Sequence, residues 1–118
     1  MFKADDYRLK IQAMREVLKE AEYALDIEHL RPRLAELEKE QENPEIWQDL
    51  EKSTKIGKEV SAIRNKILAY EKGETALSDA ADVVDLIEET EDESLIAELD
   101  EMLATAERIL KICVSAPF

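Results

Sequence analysis

Side chains able to do chemistry are few here, and their spacing argues against a reactive centre. The 118-residue chain holds one histidine, His29, and one cysteine, Cys113. With one histidine, no multi-histidine metal site can be assembled within a chain, and no Ser-His-Asp triad is expected. A ferritin-like di-metal centre needs two Glu-x-x-His repeats on facing helices and is excluded. Cys113 permits no internal disulfide, and its place on an apolar seam reads as a buried structural thiol. Glu88 to Glu93 (EETEDE) packs five acids into six residues. That run lacks the central glycine of an EF-hand loop, so it reads as a solvated charge run at a helix turn. Gly57 and Gly73 stand apart, so no glycine-rich loop can cradle a phosphate. No catalytic residue, cofactor or metal is expected; the chain is read as a non-enzyme.

Composition points to helices. Two glycines, three prolines and 5% aromatics accompany abundant Ala, Leu, Glu and Lys, with 45% apolar residues recurring at a period. Twenty-nine acids against 16 basic residues give a net charge of −13. A chain so acidic is repelled by phosphate backbones and by anionic membrane surfaces, whereas a basic protein surface attracts it. The first residues lack the apolar core of a signal peptide, and no run approaches the roughly 20 apolar residues of a membrane span. A soluble, cytoplasmic, single-domain protein is expected.

Four helices are expected, about 4–24, 28–42, 49–89 and 93–113. In the first, Tyr7, Ile11, Met14, Leu18, Ala21 and Leu25 alternate four and three apart, a heptad seam that Val17 and Ala24 widen. Asp26 can cap the second. Pro32 leaves its start open: from Asp26 the proline falls in the second turn, whereas from near Arg31 it takes an allowed first position. The third carries Ile56, Val60, Ile63, Ile67, Tyr70, Leu77, Ala81 and Val84 in one phase, with Glu74 as a polar skip. Gly73 costs it about 1 kcal/mol relative to Ala. The preserved phase favours one continuous helix of roughly 60 Å, with a break at Lys72-Gly73-Glu74 as the alternative. A turn at Thr90–Asp92 precedes the last helix, whose seam is Leu95, Leu99, Met102, Ala106, Ile109 and Cys113. The fold class is all-α: a three- or four-helix antiparallel bundle built around a coiled-coil-like hairpin with one long helix.

The joint between the second and third helices is the most informative stretch. Asn43 suits an N-cap and Pro44 a first helical position, so this pair ends one helix and starts another. Ile46 and Trp47 then set two large apolar groups on one short turn. Trp47 is expected to pack against its neighbours and fix how the helices cross, and Gly57 to admit close approach of a neighbouring backbone. Asn43, Pro44, Trp47 and Gly57 form the candidate structural motif.

These residues also carry a resemblance. Leu37, Asn43, Pro44, Glu45, Ile46 and Trp47, followed by Ile56, Gly57, Lys58 and Glu59, resemble the opening domain of bacterial class-I peptide chain release factors of the release factor 2 branch. The likeness extends more weakly over about residues 7 to 110, including Leu25-Asp26 ahead of Arg33-Leu34. It implies a non-catalytic module of a translation termination factor. The implied partners are a ribosomal protein of the factor-binding region and the class-II release-factor GTPase. The family's Gly-Gly-Gln loop for peptidyl-tRNA hydrolysis and its Ser-Pro-Phe tripeptide for stop-codon reading belong to later domains. This chain has no Gly-Gly pair, and Ser115-Ala116-Pro117-Phe118 is one residue too long to be that tripeptide. The apolar end fits an excised first domain or a short relative of one, with a natural stop whose tail is tucked into the bundle as the alternative. The competing reading is a stand-alone acidic coiled-coil adaptor or chaperone-like bundle that self-associates. Oligomeric state is not readable from the sequence.

Overall fold

The computed structural model describes residues 1–115, and most of the apolar end, Ala116–Phe118, lies outside them. The elements are α1 (Ala4–Leu25), α2 (Ile27–Gln41), α3 (Pro44–Trp47), α4 (Leu50–Thr90) and, after a 3₁₀ turn at Glu93–Leu95, α5 (Ile96–Ser115). No strand occurs among the described residues.

Each joint has a local cause. Asp26 adopts the left-handed conformation (φ 59°), closing α1 through its N–H and opening α2 through its C=O. Its carboxylate does not cap the backbone; it meets His29 Nδ1 at 2.6 Å instead. Because α2 begins at Ile27, Pro32 lies inside it and denies the Glu28 carbonyl its usual donor. Glu28 is exposed, so water can serve that carbonyl. Asp49 caps α4 by accepting from the Lys52 N–H at 3.1 Å. Glu91, left-handed at φ 59°, ends α4, and Asp92 accepts from the Ser94 N–H to start the next turn.

Helix α4 is the axis on which everything else packs. It runs 41 residues through Gly73 without a break, in a molecule measuring 64 × 23 × 19 Å. Helix α1 runs antiparallel to its C-terminal half, as the pairs Arg8–Glu88 and Glu22–Tyr70 show. Helix α2 continues in the same direction along the N-terminal half, marked by Arg31–Glu71 and Glu38–Arg64. Helix α5 folds back on the C-terminal half, beside α1. The result is a three-helix base (α1, α4, α5) with a two-helix arm (α2, α4) ending at α3.

The buried face of α4 winds around the helix. Val60, Ile63, Ile67, Tyr70, Gly73, Leu77, Ala80, Val84 and Ile87 are buried. At 100° per residue Val60 and Ile87 lie roughly 180° apart around the axis. A 3.5-residue repeat on a 3.6-residue helix drifts by about 20° per heptad, which supplies roughly 80° of this. The rest arises because the buried flank beside the Ile63–Tyr70–Leu77–Val84 row changes from Val60 and Ile67 to Gly73, Ala80 and Ile87 on its other side. Near the arm the stripe faces α2, and in the base it faces α1 and α5. The seam expected from fixed heptads therefore needs correction past Tyr70. Gly73 and Ala80 are buried, Glu74 is exposed and Ala81 only half-buried. Val17 and Ala24 are likewise exposed, because α1 meets two neighbours on one narrow stripe.

Gly73 sits where three helices converge. A Cβ added there would stand 2.8 Å from Leu18 Cδ1 on α1 and 3.7 Å from Ile109 Cγ2 on α5. A Cβ at Gly57 would meet nothing within 4 Å, so the close approach expected at Gly57 occurs at Gly73 instead. In the arm α4 has only α2 and α3 beside it, which leaves room at Gly57. Gly57→Ala should therefore raise stability by about 0.5–1 kcal/mol through helix propensity. Gly73→Ala should forfeit that gain, because Leu18 must shift within a close-packed core. Denaturant unfolding of both variants checks the ordering, and equal gains would contradict it.

Candidate functional site

The elbow joining α2, α3 and α4 is built from the candidate motif. Asn43, in extended conformation (φ −77°, ψ 119°), accepts a 3.0 Å hydrogen bond from the Glu45 N–H, and Pro44 takes the first position of α3. The two residues thus open a separate one-turn helix, and Asp49 supplies the cap for α4.

Trp47 is placed differently from its expected packing. Its side chain is 62% exposed, and Ile46 is the residue that turns inward. Only two long helices meet at this end, so there is no third layer to cover both large groups. What Trp47 supplies is a hydrogen bond: its indole N–H donates to the Gln41 carbonyl at 2.6 Å. Gln41 is the last residue of α2, where carbonyls lack intrahelical partners. Leu50, one turn onward, is 81% exposed. Two large apolar side chains therefore stand in water at the arm's tip, next to the exposed acids Glu45 and Glu51.

Behind the tip, a cavity of about 430 Å³ opens between α2 and α4, lined by the apolar Leu37, Ile46 and Ile56 and by charged side chains that include Lys52 and Lys55. Three ion pairs tie the arm together: Arg33–Glu59 at 3.2 Å, Arg64–Glu38 at 2.7 Å and Arg31–Glu71 at 3.2 Å. All are substantially exposed, so each is worth about 1 kcal/mol at most.

The base holds its own polar contacts. Arg8 bridges Glu88 at 2.7 Å and Asp85 at 2.8 Å, and that contact holds the Glu88 carboxyl below its ordinary range. The Tyr70 hydroxyl donates to Glu22 at 2.5 Å, and burial together with that acid pushes its ionisation well up. His29 is drawn upward by Asp26. Cys113 is buried, and burial raises its thiol. Among the described residues, no three His, Cys, Asp or Glu side chains gather in a way that could hold a metal ion. No helix among them is long and apolar enough to cross a membrane.

Sequence reasoning missed Gly73 and Arg8. Gly73 was findable, since 73, 80 and 87 are whole heptads of small or apolar residues. Arg8 was not, because its partners lie 77 and 80 residues away.

The exposed placement of Trp47 sets its energetic scale. Trp47→Phe should cost about 0.5–1.5 kcal/mol, the net worth of one hydrogen bond. Trp47→Ala should cost somewhat more, yet stay below the 3–5 kcal/mol typical of a buried aromatic. Urea unfolding distinguishes the two scales, and a loss in the buried range would contradict the structure.

Comparison with known proteins converges on one family. The pattern of the PCRF domain matches residues 30–115. Peptide chain release factor 2 of Nautilia profundicola is 32% identical over 108 residues, which is 92% of this chain and 29% of that protein. The release factor 2 of Kosmotoga olearia is 28% identical over 114 residues, covering 92% of this chain and 30% of the relative. That of Acidithiobacillus ferrooxidans is 32% identical over 102 residues, covering 86% and 26%. The chain thus spans less than a third of the length of the relatives it matches. With its elbow motif, α4 and α5 inside the matched stretch, the chain belongs to the PCRF domain family.

Proposed function

We propose that this chain is the non-catalytic helical module of a translation termination factor, the first domain of a longer release factor working in the cytoplasm. Its task is positional. It meets a ribosomal protein of the factor-binding region, the class-II release-factor GTPase, or both, and helps seat or recycle the factor. Family membership supports the setting, since the relatives are named release factors. The observation that carries the positional reading is the arm. A continuous α4 holds Trp47 and Leu50 in solvent at one end of a 64 Å molecule. Solvent-exposed Trp and Leu beside acids suit a partner surface with an apolar hollow and basic edges. The net charge of −13 opposes contact with nucleic acid and with anionic membranes.

Capture of ribosomes and of the GTPase by the 118-residue chain tests this. Capture should occur at low salt and weaken as salt screens the charges. The double variant Trp47→Glu/Leu50→Glu should lose it at every salt concentration. Capture unchanged in that variant, or equal capture of protein-free ribosomal RNA, would overturn the reading. Light scattering that finds an obligate dimer at micromolar concentration would instead favour a self-associating adaptor.

A further inference from the structure

We propose that the outer groove between α4 and α5 is a docking site for a basic amphipathic helix of a partner protein. This surface lies in the base, and its occupancy does not depend on the role given to the arm's tip.

Two contiguous cavities, about 270 and 390 Å³, share Ala76 and Asp79 and run along the α4–α5 seam. Their floor is apolar: Ala76, Met102, Ile109 and the half-exposed Leu68. Between Glu98 and Ile109 the groove follows α5 for about 16 Å, close to three helical turns. A groove of that length between two antiparallel helices suits the apolar stripe of a third helix, with anchors one turn apart. Met102 on the floor can adapt to different side chains.

The rim identifies the charge of the occupant. Asp79, Glu98 and Glu101 border the first cavity, and among the described residues none of them takes part in an ion pair or side-chain hydrogen bond. Elsewhere in the base, Asp85 and Glu88 are both paired with Arg8. Lys72, beside Glu71, is the one basic side chain in the lining. Three unpaired carboxylates around an apolar floor complement a helix whose apolar stripe is flanked by Lys or Arg. A second copy of this chain is a poor occupant, because two surfaces of this acidity, each on a molecule of charge −13, repel.

The test uses a fluorescent 18-residue Leu/Lys peptide with leucines at helical spacing, and a second peptide of the same composition with that spacing scrambled. Anisotropy titrations use the whole 118-residue chain. The striped peptide should bind about tenfold or more tighter than the scrambled one. Asp79→Lys/Glu101→Lys should weaken it about tenfold, while Glu16→Lys/Glu20→Lys, the same charge change on the outer side of α1, should alter it less than about threefold. Circular dichroism confirms that the variants fold. If the first double variant does not, Thr105→Lys inside the groove supplies the same readout. Equal weakening by both double variants, or equal binding of both peptides, would reduce the attraction to net charge and overturn the proposal. So would a chain dimer, seen by light scattering, that Asp79→Lys/Glu101→Lys dissolves.

Discussion

The structure depends on one helix having to satisfy different neighbours on opposite sides. Helix α4 must bury Val60, Ile63 and Ile67 where α2 lies, and Ala80, Val84 and Ile87 where α1 and α5 lie. A straight α-helix does this without bending, because its central apolar row drifts slowly about the axis and the buried flank beside that row changes from Val60 and Ile67 to Gly73, Ala80 and Ile87. The crossover comes at Tyr70–Gly73, where α1 hands over to α2 through a single left-handed residue, Asp26. Gly73 is the small residue that lets Leu18 come close at that level.

This geometry divides the energetics. The base buries side chains from three helices, including Leu77, Leu99 and Leu103, each almost wholly removed from water. Full burial of such a side chain contributes about 1.5–3 kcal/mol. The arm has two layers, and α2 contributes only Ile27 and Leu37 to the fully buried set. Its exposed ion pairs add little beyond orientation. The arm is thus the less stable part, kept straight by being one half of a helix whose other half is anchored. A chain built in this way presents a tip at a distance from its base, the feature on which the proposed positional role rests.

Much of this was legible in the residues. The four longer helices, the break at Asn43-Pro44 and the turn near Thr90 followed from capping chemistry and apolar spacing, both of which act over a few residues, whereas the separate one-turn α3 was not expected. The same is true of the α1 seam from Tyr7 to Leu25. What could not be read was which neighbour each face would meet. Trp47 looks like a core residue by type, yet it stands outside because the elbow has no third layer. Gly57 and Gly73 look alike in a string of letters, and only the convergence of Leu18 and Ile109 separates them. Pro32 tolerated two starts for α2, and the choice was made by Asp26 adopting a left-handed conformation. The elbow's chemistry was therefore readable, whereas the exposure of its tip was a tertiary property.

The central claim is the continuity of α4 across the level where its buried face changes sides. Amide hydrogen exchange from Lys66 to Ala80 measures it directly. The account predicts slow exchange on every amide through Lys72, Gly73 and Glu74, opening together with the flanking turns. A window of fast exchange confined to those three residues would mean two helices meeting at a joint, and would contradict it.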